Sequence, residues 1–384
     1  MIVLQSSKSL TEVSFEKSDL LKNIQQLPDP RTRWTQHSLT DIVTIAVMAV
    51  LSGADDWNAI QTYGDAKKDW LSEFLSLPNG IPSHDTFNYV ISRLEPSRFA
   101  ECCLGWMKEA ATKIGAQIIS IDGKSFNGSY DREKGQKSLH MVSAWVSSHY
   151  LLLGQVKTEK KSNEITAIPK LLEMIDIKGH IVTIDAMGAQ RKIAEQIIKQ
   201  GGDYVISLKG NQGKLHKNVM KAFEAAQAEE WEGVRYETYQ SIEAGHGRIE
   251  KRRYYIVPAA TVEIPKGWST IQSVVMVERE RTDWKKTSYE VQYHISSLPA
   301  DIKKISQAIR EHWGVENNLH WSMDVIFGED KSRIRKGHGA ENFGTMRRQT
   351  LGLLKKDTSL KKSIRLKRYH ASMDNDYLLQ VIRS

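Results

Sequence analysis

Apolar residues recur at helical spacing through the first third of the chain and at strand spacing through the middle. Leu20, Leu21, Ile24 and Leu27 form an early amphipathic patch, which Asp29-Pro30-Arg31 interrupts. Ser38-Leu39-Thr40 then opens a strongly apolar helix over 41–51, stopped by Gly53. Further helices are predicted over 57–67, 69–77, 84–94 and 97–114. Ser83 is suited to cap the helix at 84–94, whose Phe87, Val90, Ile91 and Leu94 share one face. Residues 1–115 therefore read as an all-helical N-terminal domain. The two helices flanking 78–82 have the layout of a helix-turn-helix, which would present His84, Asp85, Asn88 and Arg93 to DNA.

From Gly115 the period changes. Residues 117–122, 139–146 and 150–157 read as strands, the last two joined by Ser147-Ser148-His149. A helix lies within 163–177, expected to start near Ile168 because Pro169 suits a first turn. Strand 180–185, helix 191–200 and strand 204–209 follow. The order β-β-β-α-β-α-β specifies an α/β fold, a mixed sheet with helices on both faces. Residues 116–210 thus form the first part of a core. Residues 211–298 hold a helix at 214–230 and strands near 234–239, 249–257, 271–278 and 288–295, which read as a β-rich insertion. A helix over 301–324 completes the core within 299–336, and 337–384 form a basic helical tail.

Charge sharpens that last division. The chain carries a net +8. From Lys331 to Ser384 there are 14 Lys/Arg against 4 Asp/Glu, so the remainder is slightly acidic. A polyanionic partner is allowed but not required, and the basicity is concentrated in the tail. Cys102 and Cys103 are adjacent, which suits two buried thiols rather than a disulfide or a zinc site. Met1 to Leu10 lack the basic-then-apolar layout of a secretion signal. The longest apolar run, Ile42 to Leu51, is too short to span a bilayer. A soluble intracellular protein without membrane contact is expected.

Two carboxylates stand at the ends of apolar runs: Asp122 after Ile118-Ile119-Ser120-Ile121, and Asp185 after Ile181-Val182-Thr183-Ile184. Each alone could cap the turn that follows. If the first and fourth strands are neighbours, both reach one edge, where two unpaired carboxylates repel. A hard divalent cation relieves that repulsion, since it prefers oxygen ligands. A third ligand would come from the helix at 301–324, where Glu316, His320 and Asp324 share a stripe beside Trp313 and Leu319. Glu311 faces elsewhere. Two Mg²⁺ or Mn²⁺ ions held by three carboxylates would clamp the attacking and leaving oxygens of an in-line phosphoryl transfer. No glycine-rich phosphate loop or Ser-His-Asp order competes.

The chain resembles the DDE-type insertion-sequence transposases of the H repeat-associated group. The resemblance rests on Ile121-Asp-Gly-Lys124, Asn163-Glu-Ile165 with Ile168-Pro-Lys-Leu-Leu172, Asp185-Ala-Met-Gly188 and Lys209-Gly-Asn-Gln212. It extends through His246-Gly-Arg248 with Glu250 and Arg252, through Arg310 to Trp321, and through Asp324 to Arg333. Asp29-Pro-Arg31 and Pro82-Ser-His-Asp-Thr-Phe87 match the associated helical domain. The resemblance implies an RNase H-like core interrupted by the β-rich segment. It also implies a catalytic triad of Asp122, Asp185 and Glu316, with Asp324 as the alternative metal ligand. Related enzymes carry a Tyr, Arg, Glu, Lys signature on the last helix. Here Ile309, His312 and Met323 stand at the Tyr, Arg and Lys positions.

Double-stranded DNA, as element ends and target, is the implied partner, with a dimer on DNA. The implied location is the bacterial cytoplasm, at the nucleoid. Candidate DNA contacts are Lys124 and Lys209 at strand ends, His246, Arg248 and Arg252 in the β-rich segment, and His320 on the catalytic helix. Lys331, Arg333, Arg335 and Lys336 follow directly after that helix. The expected activity is metal-dependent strand cleavage and strand transfer. A catalytically inactive DNA-binding remnant and a nuclease without joining activity are the alternatives.

Overall fold

The run Ile118-Ile119-Ser120-Ile121 lies at the centre of a broad sheet in the computed structural model of the chain. The structure describes residues 19–33, 35–111, 117–130, 138–158, 164–245, 247–284 and 286–383; the side chains of residues 104–111, 316 and 317 lie outside that description. Strand β1 spans Ile118–Phe126, β2 Leu139–Val146, β3 Leu151–Thr158, β4 Ile181–Ile184 and β5 Asp203–Leu208. Strands β6 (Glu237–Gly245), β7 (Arg248–Pro258), β8 (Ser273–Asp283) and β9 (Thr287–Ser296) follow. All nine join one sheet in the order β3-β2-β1-β4-β5-β9-β8-β7-β6. Among the described strands only β1–β4 and β4–β5 pair in parallel.

The β-rich segment at 211–298 is as rich in strands as its patterning predicts, but it does not stand apart. Strand β9 pairs antiparallel with β5 from Val205↔Ser296 to Leu208↔Tyr293, so β6–β9 carry the core sheet onward. Alternation within a strand shows which face is buried, not which strand it will pair with. Local patterning is therefore silent on how the segment joins the sheet.

Two helical layers cover the sheet. Helices α7 (Glu164–Met174), α8 (Arg191–Lys199) and α9 (Gly213–Ala228) bury Ile168, Leu171, Ile193, Ile197, Val219 and Phe223 in one cluster with Ile119, Ile121, Val182 and Ile184. Helix α7 begins four residues before Ile168, with Pro169 inside it. The proline forgoes one backbone bond there, and burial of Ala167, Ile168, Leu171 and Leu172 outweighs it. On the opposite face, Ile305, Ala308 and Ile309 of α10 (Ile302–Gly314) pack on Ile118, Val205, Ile256 and Val275.

The N-terminal part is helical over its described length: α1 (Asp19–Ile24), α2 (Leu39–Leu51), α3 (Trp57–Ala66), α4 (Lys68–Leu71), α5 (His84–Ile91) and α6 (Pro96–Ala111). Ser38, Asp56 and Ser83 cap α2, α3 and α5 with their side chains. The helix expected at 69–77 shrinks to the single turn of α4, and the expected end of the 97–114 helix lies outside the described residues. The tail helices α12 (Gly339–Lys356), α13 (Ile364–Met373) and α14 (Asn375–Arg383) share one apolar core with the N-terminal ones. Phe343, Leu351, Leu354 and Leu378 pack there with Ile42, Val50, Phe87 and Ile91. The tail helices thus pack into the same core as the N-terminal ones. Arg347, Arg348, Lys367 and Arg368 of the tail are buried. Arg368, for example, donates to the carbonyls of Val50 and Ile326 and to Asp55.

Candidate active site

Strands β1 and β4 run in parallel register, and Ile121 opposite Ile184 is their last pair. Asp122 and Asp185 are the next residue on each, so their side chains leave the same face, one strand spacing (~4.8 Å) apart at the backbone. Asp122 does not end its strand, contrary to expectation. Strand β1 continues to Phe126 because β2 pairs with it throughout, Asp122 opposite Ser143 and Lys124 opposite Met141. It is β4 that stops, after Ile184. Asp185 then caps a 3-10 turn, accepting from the N–H of Met187 at 3.0 Å and of Gly188 at 3.3 Å. The capping role and a ligand role coexist, since a carboxylate has two oxygens.

The helix predicted over 301–324 is present but not uniform. After α10 it widens into a π turn, Val315–His320, and resumes as α11, Trp321–Val325. Its apolar side, Val315, Leu319 and Met323, enters the core shared by the N-terminal and tail helices. Its polar side lies along the sheet. His312 Nδ1 is 3.0 Å from Thr183 Oγ1, which donates to Ser120 Oγ at 3.0 Å. His320 Nδ1 stands 3.5 Å from Asp122 Oδ2. Asp324 takes both carboxylate oxygens to Lys124 Nζ at 2.6 Å. Glu316 occupies the π turn between His312 and His320, and its side chain is outside the described residues. π turns interrupt helices frequently at functional sites.

Burial decides the charge state of the histidines. Desolvation pushes His312 down to about 4, against the pull of Asp185. It pushes His320 down to about 3, helped by the charges of Lys124 and Arg348. Both imidazoles are neutral at physiological pH, so neither cancels the charge of the adjacent aspartates. Two neighbouring carboxylates flanked by uncharged imidazoles are a donor set that suits a hard divalent cation. Among the described side chains no group of three metal-binding residues forms. Asp324, the alternative third ligand, is engaged by Lys124, and the Glu316 side chain lies outside the described residues.

The expected DNA contacts separate into groups. Lys209 follows β5 and is exposed beside the end of β4, and Lys331, Arg333 and Lys336 are exposed beyond α11. Arg335 is half-buried, donating to the Gly128 carbonyl at 3.3 Å. Arg248 pairs with Glu250 at 3.1 Å. His246 lies outside the described residues. Three of these side chains are already held by partners within the fold. Arg252 is buried at 3% exposure, where Glu243 and Glu250 flank it and the Trp313 ring lies 5.0 Å away, so it cannot reach a phosphate. Lys124 is fastened to Asp324 instead of standing open, and His320 faces Asp122 instead of solvent. The helix-turn-helix expectation also weakens. Helix α4 is one turn long, His84 is held by Gln61 Oε1 at 2.8 and 3.0 Å, and Arg93 lies over the Tyr89 ring at 3.7 Å.

One buried network escaped sequence reasoning. His140 Nε2 meets Glu164 Oε1 at 2.7 Å, and its Nδ1 meets Ser125 Oγ at 2.9 Å. Gly123 leaves the room for it, since a Cβ there would lie 2.8 Å from His140 Nε2. The signal available was the glycine directly after Asp122.

With this geometry in place, comparison with known proteins is informative. The family described as Transposase DDE domain matches residues 113–350, and the one described as DDE_Tnp_1-associated matches residues 21–107. The "H repeat-associated putative transposase YhhI" of Escherichia coli K12 is 39% identical over 374 residues, 96% of this chain and 98% of the relative. "Putative protein YbfL" of the same strain matches to the same extent. A short relative, "Inactive transposase YbfQ", is 38% identical over 79 residues, 20% of this chain.

Proposed function

The chain belongs to the DDE-type transposases, in the H repeat-associated group, and from that premise we propose that it cleaves and rejoins DNA at the ends of an insertion sequence. The observation that carries the reading is the register of β1 and β4, which sets Asp122 beside Asp185 beneath the helix that bears Glu316. In this reading those three carboxylates hold two Mg²⁺ or Mn²⁺ ions. When bound, such ions stabilise charge on the attacking and leaving oxygens of phosphoryl transfer. The chain's own side chains do the rest. Thr183 and His312 hold the helix against β4, and Lys124 and Asp324 hold it against β1. Neutral His320 covers Asp122 without neutralising it. Met187 and Gly188 N–H groups fix the rotamer of Asp185.

The arrangement of β1–β5 with α7, α8 and α10 is read as RNase H-like, with β6–β9 as its elaboration and the helical N-terminal region as a DNA-facing domain. Double-stranded DNA is the partner, held as a dimer on two ends, in the cytoplasm at the nucleoid. The test is Mg²⁺-dependent nicking of DNA carrying the element ends. Asp122→Asn and Asp185→Asn should each lower the rate at least about a hundredfold while leaving DNA binding intact. Binding without nicking by the unaltered chain would identify an inactive remnant, and nicking without joined product a simple nuclease. Unchanged nicking in both variants would overturn the site.

A further inference from the structure

A groove of about 1030 Å³ lies beyond α11, between the N-terminal helices and the segment 328–337. One wall carries Asn58 of α3 and Asn88 of α5, over Trp57. The other carries Lys331, Arg333 and Lys336. The acidic residues of the lining are already engaged: Asp55 accepts from Arg368 at 3.0 Å, and Asp56 caps α3 through Ala59 N–H at 2.8 Å. The exposed lysines and arginine therefore dominate the field. Trp57 is buried against Phe343, ring centroids 5.1 Å apart, and makes a fixed floor.

The basic wall is anchored at both ends. Asn127 donates to Asp330 at 3.0 Å and Arg335 to the Gly128 carbonyl, just past the end of β1. His338 N–H donates to the Ser92 carbonyl at 2.9 Å. The groove is thus preformed, with its basic wall fastened just past the end of β1, the strand of Asp122 and Lys124. Asn88 Oδ1 is buried there without a hydrogen-bond partner.

We propose that this groove takes a short single-stranded segment of DNA leaving the cut site, with phosphates on Lys331, Arg333 and Lys336 and base edges on Asn58 and Asn88. The inference rests on the reading of the neighbouring site as one that cuts DNA. A narrow basic channel suits a single strand. Asparagine amides match the paired donor and acceptor of an adenine edge, which an unpaired base exposes. The groove volume holds a few nucleotides and not a turn of duplex.

The test is fluorescence anisotropy of the full chain with a labelled mixed-sequence DNA octanucleotide and, separately, a blunt duplex. Lys331→Ala with Arg333→Ala should weaken octanucleotide binding about tenfold and flatten its salt dependence. Asn58→Ala with Asn88→Ala should weaken it about fivefold and leave duplex binding unchanged. Unaltered melting temperatures confirm that these variants fold. Equal losses for both probes, no loss for the octanucleotide, or tighter binding of the matching RNA would overturn the proposal. Nicking by the unaltered chain is read separately, so a failure here leaves the cleavage reading standing, and the reverse holds.

Discussion

Replacing Arg348 with methionine removes the guanidinium that pairs with Glu329 in a buried contact. The pair is bidentate, Nη1 to Oε1 at 2.8 Å and Nη2 to Oε2 at 3.1 Å, with side-chain exposures of 1% and 0%. It ties the turn after α11 to the middle of α12. Arg348 also donates to the Gly344 carbonyl at 3.0 Å and lies over the Phe126 ring at 5.0 Å. Removing one partner of such a pair leaves a buried uncompensated charge and costs about 3–5 kcal/mol. Removing both is different: apolar replacements of similar volume are close to neutral. Urea denaturation followed by circular dichroism should therefore show a large fall in midpoint for Arg348→Met at unchanged slope. Glu329→Leu combined with Arg348→Met should recover most of it. A loss below about 1 kcal/mol in the single variant, or a double variant as unstable as the sum of the singles, would refute the reasoning.

Burial pushes the Glu341 carboxyl up from 4.5 to about 7, with Glu95 adding to the rise and Lys157 opposing it. The folded chain then holds a proton that the unfolded chain releases, so stability should fall by about 3 kcal/mol as pH rises from 4.5 to 7. Glu341→Gln should flatten that fall in pH-dependent melting. Gly123→Ala brings a methyl against His140 and Glu164; a loss of about 1–3 kcal/mol and slower nicking are expected, and an unchanged melting temperature would contradict the packing. Lys124→Ala frees Asp324 and loosens α11 over β1. It should slow single-turnover nicking about tenfold while the salt slope of DNA binding stays fixed. A slope reduced by about one would mean that Lys124 contacts phosphate after all.

The sequence was most legible where burial is repeated. The apolar runs before Asp122 and Asp185, the capped helix at Ser83 and the strands of β6–β9 all follow from period and turn chemistry. It was least legible where partners lie far apart in the chain. Nothing near Val205 or Ser296 announces that β5 and β9 pair, and nothing near Arg368 announces the carbonyl of Val50. Arg252 reads as a surface charge because its neighbours in sequence are charged; only the fold brings Trp313 over it. The π turn at Glu316 is likewise invisible to a 3.6-residue pattern, which still placed His320 and Asp324 on the correct side of the helix.

We propose that Asp122, Asp185 and Glu316 converge on one metal centre. Ferrous ion substituted for Mg²⁺, with ascorbate and peroxide, generates hydroxyl radicals where it binds and cuts the nearby backbone. Mapping the fragments of the full chain should give cuts close to residues 122, 185 and 316, lost with Asp185→Asn or Glu316→Gln and suppressed by excess Mg²⁺. Cuts at 122 and 185 that persist in Glu316→Gln, or cuts clustered elsewhere, would contradict it.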